Sequence, residues 1–283
     1  MDRFRRVLVV HEGALLERDL LECAAFLAAL HPEPRLVVAA VPRSGVPPEM
    51  SAAARSIGEA HGVGDVDVRL VTAPEQDAIF DLVDETGADL LVVRNAGRIG
   101  DGPEIARRFL LESPCAVCFV PPGSRTGVRR VAAALDLGPS ARTLMHRAAA
   151  LCARAGAERL IAVHALAQRP IPSDAHERRD EALLELHRCK SQVPPLSAYF
   201  TAVVAADDPW DRAVLGAAAV HQVDLVIAGS PSVPAPRRTW RRRPMEHLVA
   251  DCGVLLLCLP SEEGRAAHGR LRRVFSESEP PFN

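Results

Sequence analysis

An internal repeat constrains this chain more than any other feature, because each half carries the same apolar and helical segments in the same order. An apolar run opens each half and ends in an acid and a glycine, Glu12-Gly13 in the first half and Asp136-Leu137-Gly138 in the second. Four more apolar segments recur in order: 35–41 with 159–165, 68–71 with 202–204, 88–93 with 223–228, and 115–121 with 252–260.

The repeat predicts an α/β fold of two tandem doubly wound domains. Each would be a five-stranded parallel sheet with helices on both faces, because continuously apolar strands that alternate with helical stretches are typical of such sheets. We expect the domains to span 1–122 and 128–260, joined by a turn-rich linker. Residues 261–283 form a polar tail that we expect to be disordered.

Composition narrows the function classes. The 283 residues carry a formal net charge of −2, which argues against a broad nucleic-acid surface and makes nucleic acid an unexpected partner. No apolar run approaches the roughly 20 residues that span a bilayer, so we expect no membrane partner. The seven cysteines are scattered and odd in number, which favours reduced core thiols and a cytoplasmic location.

Motifs for catalysis and for metal binding are not evident in the sequence. Lys190 is the only lysine, which excludes a Gly-Lys-Ser/Thr phosphate loop. Cys115 and Cys118 begin a strand, so their side chains should point to opposite faces and pack in the core. Neither a nucleophile elbow nor a dinucleotide-binding glycine motif occurs, and no local cluster supplies metal ligands. We therefore expect a protein that is not an enzyme.

The order of these segments resembles the universal stress protein family over about residues 5–260. Three features carry the resemblance: the strand that ends in an acid and a glycine, the Ala/Val-Asp-Leu fourth strand, and the helix ending before the last strand. That helix ends in Ser-Pro-Cys at 113–115 and in Ala-Asp-Cys at 250–252. The resemblance implies the tandem two-domain form, in which the last strands of the halves meet as a pseudo-dimer. It also implies that whole chains dimerise through a similar surface.

The resemblance further implies ATP, or another adenine nucleotide or anionic ligand, as what a member of this family would bind. Members that bind ATP carry Gly-x-x-Gly and then Gly-Ser/Thr after the fourth strand, because glycines let the backbone approach phosphates. The acid at the end of the first strand lies beside the adenosine, which makes Glu12 and Asp136 the corresponding candidates.

The first half departs from the family's loop. Arg94 stands where the first glycine belongs, whereas Gly97 remains, and Glu104 near the next helix start would repel phosphate. We hypothesise that Arg94 occupies the vacated site by pairing with Glu12 of the Glu12-Gly13 pair. Nucleotide binding restored by Arg94→Gly would support this hypothesis.

The second half departs in a different way. It keeps Asp136 and Gly138, and Gly229-Ser230 opens its loop, but prolines follow instead of further glycines. Arginine side chains could replace the lost backbone amides as an anion clamp. The arginines of this loop are Arg237, Arg238, Arg241, Arg242 and Arg243.

Three functions stay open on the sequence. The first is a regulatory or ligand-sensing protein of the stress response, with degenerate ATP-binding loops in both halves and no turnover. The second is an ATP-binding protein with weak ATPase activity in the second domain. The third is a protein or RNA interaction module that uses the arginine loop, with Trp240 stacking on a base.

Overall fold

The computed structural model describes residues 4–12, 17–41, 48–71, 76–95, 103–166, 174–205, 209–229 and 242–260. The elements of the first half are β1 Arg6–Glu12, α1 Arg18–Ala29, β2 Arg35–Val41, α2 Pro48–Ala60, β3 Asp65–Leu70, α3 Gln76–Thr86, β4 Leu90–Arg94, α4 Pro103–Glu112 and β5 Ala116–Val120. Those of the second half are β6 Arg130–Ala134, α5 Ala141–Ala155, β7 Arg159–Ala165, α6 Ala175–Ser191, β8 Tyr199–Ala205, α7 Trp210–Val220, β9 Leu225–Gly229, α8 Arg242–Asp251 and β10 Leu255–Leu259. The predicted tail, 261–283, lies outside the described residues.

The strands form one ten-stranded sheet in the order β3-β2-β1-β4-β5-β10-β9-β6-β7-β8. Every neighbouring pair is parallel except β5 and β10, which are antiparallel. Each half is thus a doubly wound five-stranded parallel sheet, and the predicted fold class is confirmed. Because the one antiparallel pair joins the halves, the carboxyl ends of the strands point in opposite directions in the two halves.

The registers of the two halves repeat each other. Arg6 pairs with Arg35 at the start of β1 and β2, and Arg130 pairs with Arg159 at the start of β6 and β7. At the other end, Arg94 pairs with Val120, as Gly229 does with Leu259. Residues of the second half can therefore be matched to those of the first by position.

Two apolar cores lie on opposite faces of the sheet and run through both halves. One is built from α1, α2, α5 and α6, and the other from α3, α4, α7 and α8. Central-strand residues are buried on both faces, as continuously apolar strands predict. Cys118 lies in the first core and Cys115 in the second, which confirms that their side chains point apart.

The aspartate of the Ala/Val-Asp-Leu motif ties the start of the fourth strand to the start of the first. Asp89 accepts hydrogen bonds from the backbone N–H groups of Arg5 (2.8 Å) and Arg6 (3.2 Å). Asp224 does the same for Arg129 (2.9 Å) and Arg130 (2.8 Å). The motif therefore has a structural role in both halves, since it satisfies backbone donors at the strand starts.

The halves meet at β5 and β10. Phe119 pairs with Leu256 and Cys118 with Leu257, all buried. β5 lies between β4 and β10, and β10 lies between β5 and β9. Both last strands are therefore paired on both sides, so neither offers a free edge to another chain, and dimerisation of whole chains stays a prediction. None of the helices in the described ranges has the length and apolar character that crossing a membrane requires.

Candidate functional site

The candidate sites lie where β1 meets β4 and where β6 meets β9. On either side of each junction the chain winds outward in opposite directions, and ligands of open parallel sheets bind outside the carboxyl ends of the strands at such points. Because the strands of the two halves run antiparallel to one another, the two sites lie beyond opposite ends of the strands.

In the first half this position is filled by the side chain of Arg94, which is only 8% exposed. Its Nε donates to Glu17 Oε1 at 3.1 Å, and its two terminal nitrogens donate to Asp19 Oδ2 at 2.9 Å and Oδ1 at 2.7 Å. It also donates to the carbonyl oxygen of Pro121 at 3.1 Å. The guanidinium thus binds one carboxylate with two parallel hydrogen bonds and a second with one, the strong geometry for this group.

The ion pairs shift the pKa of both partners. The hydrogen bond from Arg94 holds the pKa of Asp19 below its ordinary value, against the opposing effect of burial. Burial lowers the pKa of Arg94, but the hydrogen bonds and charges of Asp19 and Glu17 outweigh it and raise the pKa. Both groups are charged at neutral pH, so carboxylates of the same chain already neutralise the charge of Arg94.

Local structure holds the two acids in place. His11, fully buried in β1, accepts the backbone N–H of Glu17 at its Nε2 atom (3.0 Å). Asp19 also accepts the backbone N–H groups of Leu20 (2.9 Å) and Gly123 (2.7 Å). Because Gly123 begins the linker, this cluster ties α1, β4 and the linker together.

These partners differ from the hypothesis drawn from the sequence. The described partners of Arg94 are Glu17 and Asp19, which sequence reasoning missed. The side chain of Glu12 lies outside the described residues, so pairing with it stays a prediction. The sequence did carry a signal for these partners. Two acids lie around the start of α1, and a helix N-terminus favours negative charge.

In the second half, β9 ends at the matching position in Gly229, which carries no side chain of its own. A Cβ atom added to Gly229 would meet nothing within 4 Å. Helix α1 has Asp19 in its first turn, whereas α5 has no acid there. The first turn of α5 therefore carries no counterpart of the carboxylate that binds Arg94 with two hydrogen bonds.

An arginine of helix α5 reaches the carboxyl ends of the strands in the second half. Arg147 of α5 donates to the carbonyl oxygen of Pro260 at 3.2 Å. Pro260 follows β10 as Pro121 follows β5, so the carbonyls that Arg94 and Arg147 bind correspond. The guanidinium of Arg147 thus lies next to the pair formed by Gly229 and Leu259.

The loop after β6 is held in an unusual conformation. Exposed Asp136 accepts the backbone N–H of Gly138 at 3.0 Å, and Leu137 between them has a φ of 54°. A left-handed leucine is disfavoured, and such strain clusters at functional sites. His164 on β7 supports the strand end through a 2.8 Å hydrogen bond between its Nδ1 atom and the carbonyl oxygen of Leu135.

An open groove of about 570 Å³ begins beside this loop. Leu137 and Leu166 line it from the strand ends, and Leu184 lines it from α6 together with charged side chains of the same helix. The described lining of the groove thus joins the ends of β6 and β7 to α6, whereas Gly229 ends β9, the neighbour of β6 on the other side.

Several predicted site residues lie outside the described residues. These are Gly13, Gly97, Ser230, Arg237, Arg238 and Arg241. Arg242 and Arg243 begin α8, but their side chains are outside the described part. The arginine clamp therefore stays a prediction.

The cysteines are unsuited to redox chemistry in this conformation. All seven are free and buried. Burial raises the pKa of the Cys115 thiol to about 12 and that of Cys118 well above its ordinary value. Across the described ranges, no group of three or more potential ligands could hold a metal ion.

Solved structures share this architecture. A protein of unknown function from Pseudomonas aeruginosa PAO1 superimposes with a TM-score of 0.69 at 17% identity, over 96% of this chain and 98% of its own. A protein assigned to the universal stress proteins, from Pseudomonas aeruginosa UCBPP-PA14, gives 0.68 at 16% identity over 95% and 98%. A universal stress protein from Archaeoglobus fulgidus DSM 4304 gives 0.56 at 12% identity over 89% and 96%.

This chain has the fold of the universal stress proteins. The resemblance inferred from the repeated motifs is therefore confirmed at the level of fold, across nearly the whole chain. No protein-family model matches the sequence, and no curated protein matches it either.

Proposed function

We propose that this chain is a ligand-sensing regulatory protein of the stress response, with the universal stress protein fold and one working site in its second half. The observation that carries the proposal is the contrast between Arg94, bound by two carboxylates, and Gly229, which adds no side chain at the same position and has no described atom within 4 Å of where a Cβ would lie. In this proposal the first half has exchanged its ligand for an internal ion cluster.

The second-half site suits an anionic ligand with an apolar part, of which an adenine nucleotide is the candidate. Gly229 and the adjoining Ser230 would let phosphates approach the backbone, while Arg147 and the arginines of the following loop supply positive charge. Asp136 would accept hydrogen bonds from a sugar, and Leu137 with Leu166 would contact a base.

We further propose that the protein binds without turnover. The arginine-rich, proline-rich loop lacks the glycines that hold a triphosphate for transfer, and Lys190, the sole lysine, lies on α6. The proposal includes a cytoplasmic location, supported by seven reduced thiols. The two halves would act as a pseudo-dimer within one chain, supported by the pairing of β5 with β10.

Thermal denaturation of the full chain with and without ATP, AMP and pyrophosphate tests the proposal. A ligand at 100 times its Kd should stabilise the chain by about 2.7 kcal/mol and raise the Tm accordingly. Gly229→Arg should abolish the rise, because the new side chain fills the site. Gly216→Arg adds the same charge at an exposed position on α7 and should keep it.

Each remaining outcome contradicts a defined part of the proposal. No rise with any of the three compounds would contradict the ligand class. A rise that persists in Gly229→Arg would put the site elsewhere. Phosphate release from ATP above the blank, lost in Gly229→Arg, would favour the weak ATPase instead.

A further inference from the structure

The two outer edges of the sheet differ in a way that the ligand site does not explain. The sheet ends at β3 on one side and at β8 on the other. An outer strand exposes unpaired backbone groups that can pair with another chain, and proteins usually protect such edges with charge.

Strand β3 carries that protection. Its sequence, Asp-Val-Asp-Val-Arg-Leu, includes three charged residues. Arg69 forms ion pairs with Asp67 in the same strand and with Glu85 of α3, and Asp65 pairs with Arg35 at 3.1 Å. Another strand would have to pack against these charged side chains.

Strand β8 lacks this protection by charge. Its sequence, Tyr-Phe-Thr-Ala-Val-Val-Ala, has no charged residue, no proline and no glycine. Helix α6 packs against one face, and Tyr199, the only tyrosine of the chain, is 78% exposed. Within the described ranges, β8 pairs only with β7.

The hydrogen bonds to β7 reveal which backbone groups of β8 face outward. Tyr199 donates its N–H to the carbonyl oxygen of Glu158, and the carbonyl oxygen of Ala205 accepts from Leu166. Backbone groups of successive residues point to alternate edges of a strand, so Tyr199, Thr201, Val203 and Ala205 face β7. Phe200, Ala202 and Val204 therefore present their N–H and C=O groups at the free edge.

We propose that this edge pairs antiparallel with β8 of a second copy of this chain, about a twofold axis at Ala202. In this register Ala202 lies opposite Ala202 of the second copy, and Phe200 lies opposite its Val204. Every outward-facing residue then meets another, and each such pair exchanges two backbone hydrogen bonds.

Side chains agree with this register. Phe200 opposite Val204 of the second copy is an aromatic–β-branched pair, of the kind that stabilises sheets. No like charges would meet in the strand pair, and a net charge of −2 per chain adds little repulsion. The second copy fits better than an unrelated strand because one sequence supplies complementary groups on both sides.

Light scattering of the full chain after size-exclusion chromatography, over a wide concentration range, tests this proposal. We expect the apparent mass to double with rising concentration. Ala202→Pro removes only an outward N–H, which an edge strand tolerates. It deletes two hydrogen bonds per dimer and should weaken the dimer about tenfold or more.

Two lysine variants locate the contact. Thr201→Lys should also give monomer, because the two new charges would lie diagonally opposed across the axis. Leu70→Lys places the same charge on the β3 edge, where Leu70 is 49% exposed, and should leave the dimer intact. Far-UV circular dichroism checks that each variant is folded.

A cross-link tests the register itself. Residues directly opposite in a hydrogen-bonded pair have Cα atoms about 5.5 Å apart, within the range of a disulfide. Oxidised Ala202→Cys should therefore yield a covalent dimer, whereas Leu70→Cys should not. Three results would overturn the proposal. These are a monomer at every concentration, a dimer that neither Ala202→Pro nor Thr201→Lys weakens, and equal cross-linking at both positions.

Discussion

The two halves of this molecule have the same backbone fold, and they differ at the strand end where that fold offers a site. In the first half β4 ends in Arg94, whose buried guanidinium is bound by Glu17 and Asp19. In the second half β9 ends in Gly229, with no acid in the first turn of the adjoining helix. Within the described residues, an ion cluster occupies this strand end in the first half, and the matching strand end in the second half carries no side chain.

This difference teaches that a strand end at which the fold offers a site can serve as a structural element. Arg94 and Asp19 also bind Pro121 and Gly123 at the start of the linker. The first half has thus gained contacts that hold its α1 helix and the linker together. The corresponding carbonyl in the second half, that of Pro260, is bound by Arg147 from α5 instead.

The largest effect is expected from Arg94→Ala. It leaves two partly buried carboxylates facing each other without their cation, which should lower the free energy of unfolding by about 3 kcal/mol. Gly229→Ala, at the matching position, should change it by less than about 0.5 kcal/mol because the added methyl group meets nothing. Chemical denaturation measures both, and equal effects would contradict the contrast between the halves.

Arg94→Gly bears on binding as well. Since Glu17 and Asp19 would remain, we expect the first half to stay closed to anions after that single change. The simple restoration of binding considered from the sequence is therefore no longer expected.

A smaller, pH-dependent effect is expected from Asp19. Its pKa in the folded chain lies below the ordinary value of 3.8, so its charged form stabilises the fold above that pH. This contribution is lost as the pH falls through the lower, folded-state pKa. The stability difference between the native chain and Asp19→Asn should thus be fully present at neutral pH and shrink in acid.

Asp77→Asn serves as the control for that measurement. It removes another first-turn carboxylate, 71% exposed, whose partner Arg108 is on the surface of α4. Denaturation curves from pH 7 down into the acid limb compare the two variants. A difference for Asp19→Asn that grows toward low pH would contradict the assigned role of Arg94.

The smallest effect is expected where the halves share a left-handed turn. The turn between the helix and the fourth strand contains Gly87 (φ 61°) in the first half and Gln222 (φ 51°) in the second. Gln222→Gly should raise the free energy of unfolding by about 0.5–1 kcal/mol, because glycine adopts this conformation without strain.

The reverse change provides the control. In Gly87→Gln the new residue would have to keep the left-handed φ of 61°, and its Cβ atom would displace Arg6 Nη1, 2.6 Å away, so that variant should be less stable. Thermal and chemical denaturation of both chains give the comparison. The two variants should change the free energy of unfolding in opposite directions, and destabilisation by Gln222→Gly would contradict this prediction.

Much of the fold was predictable because its signals are local. Continuously apolar runs indicated buried parallel strands, and the repeated order of segments indicated two equivalent halves. The sequence also placed Arg94 after the fourth strand of the first half where the second half has Gly229, and the register of β4 against β5 and of β9 against β10 agrees with that match. The partners of Arg94 were not, because Glu17 and Asp19 lie 77 and 75 residues away in the chain.

Order along the chain therefore predicted the fold class and the position at which the two halves differ. Which groups meet at that position, and which strands are left at the outer edges, was decided by the winding of the sheet. The physical reason is that strands and apolar faces form from neighbouring residues, whereas ion pairs and free backbone edges depend on distances that crossovers create between distant ones.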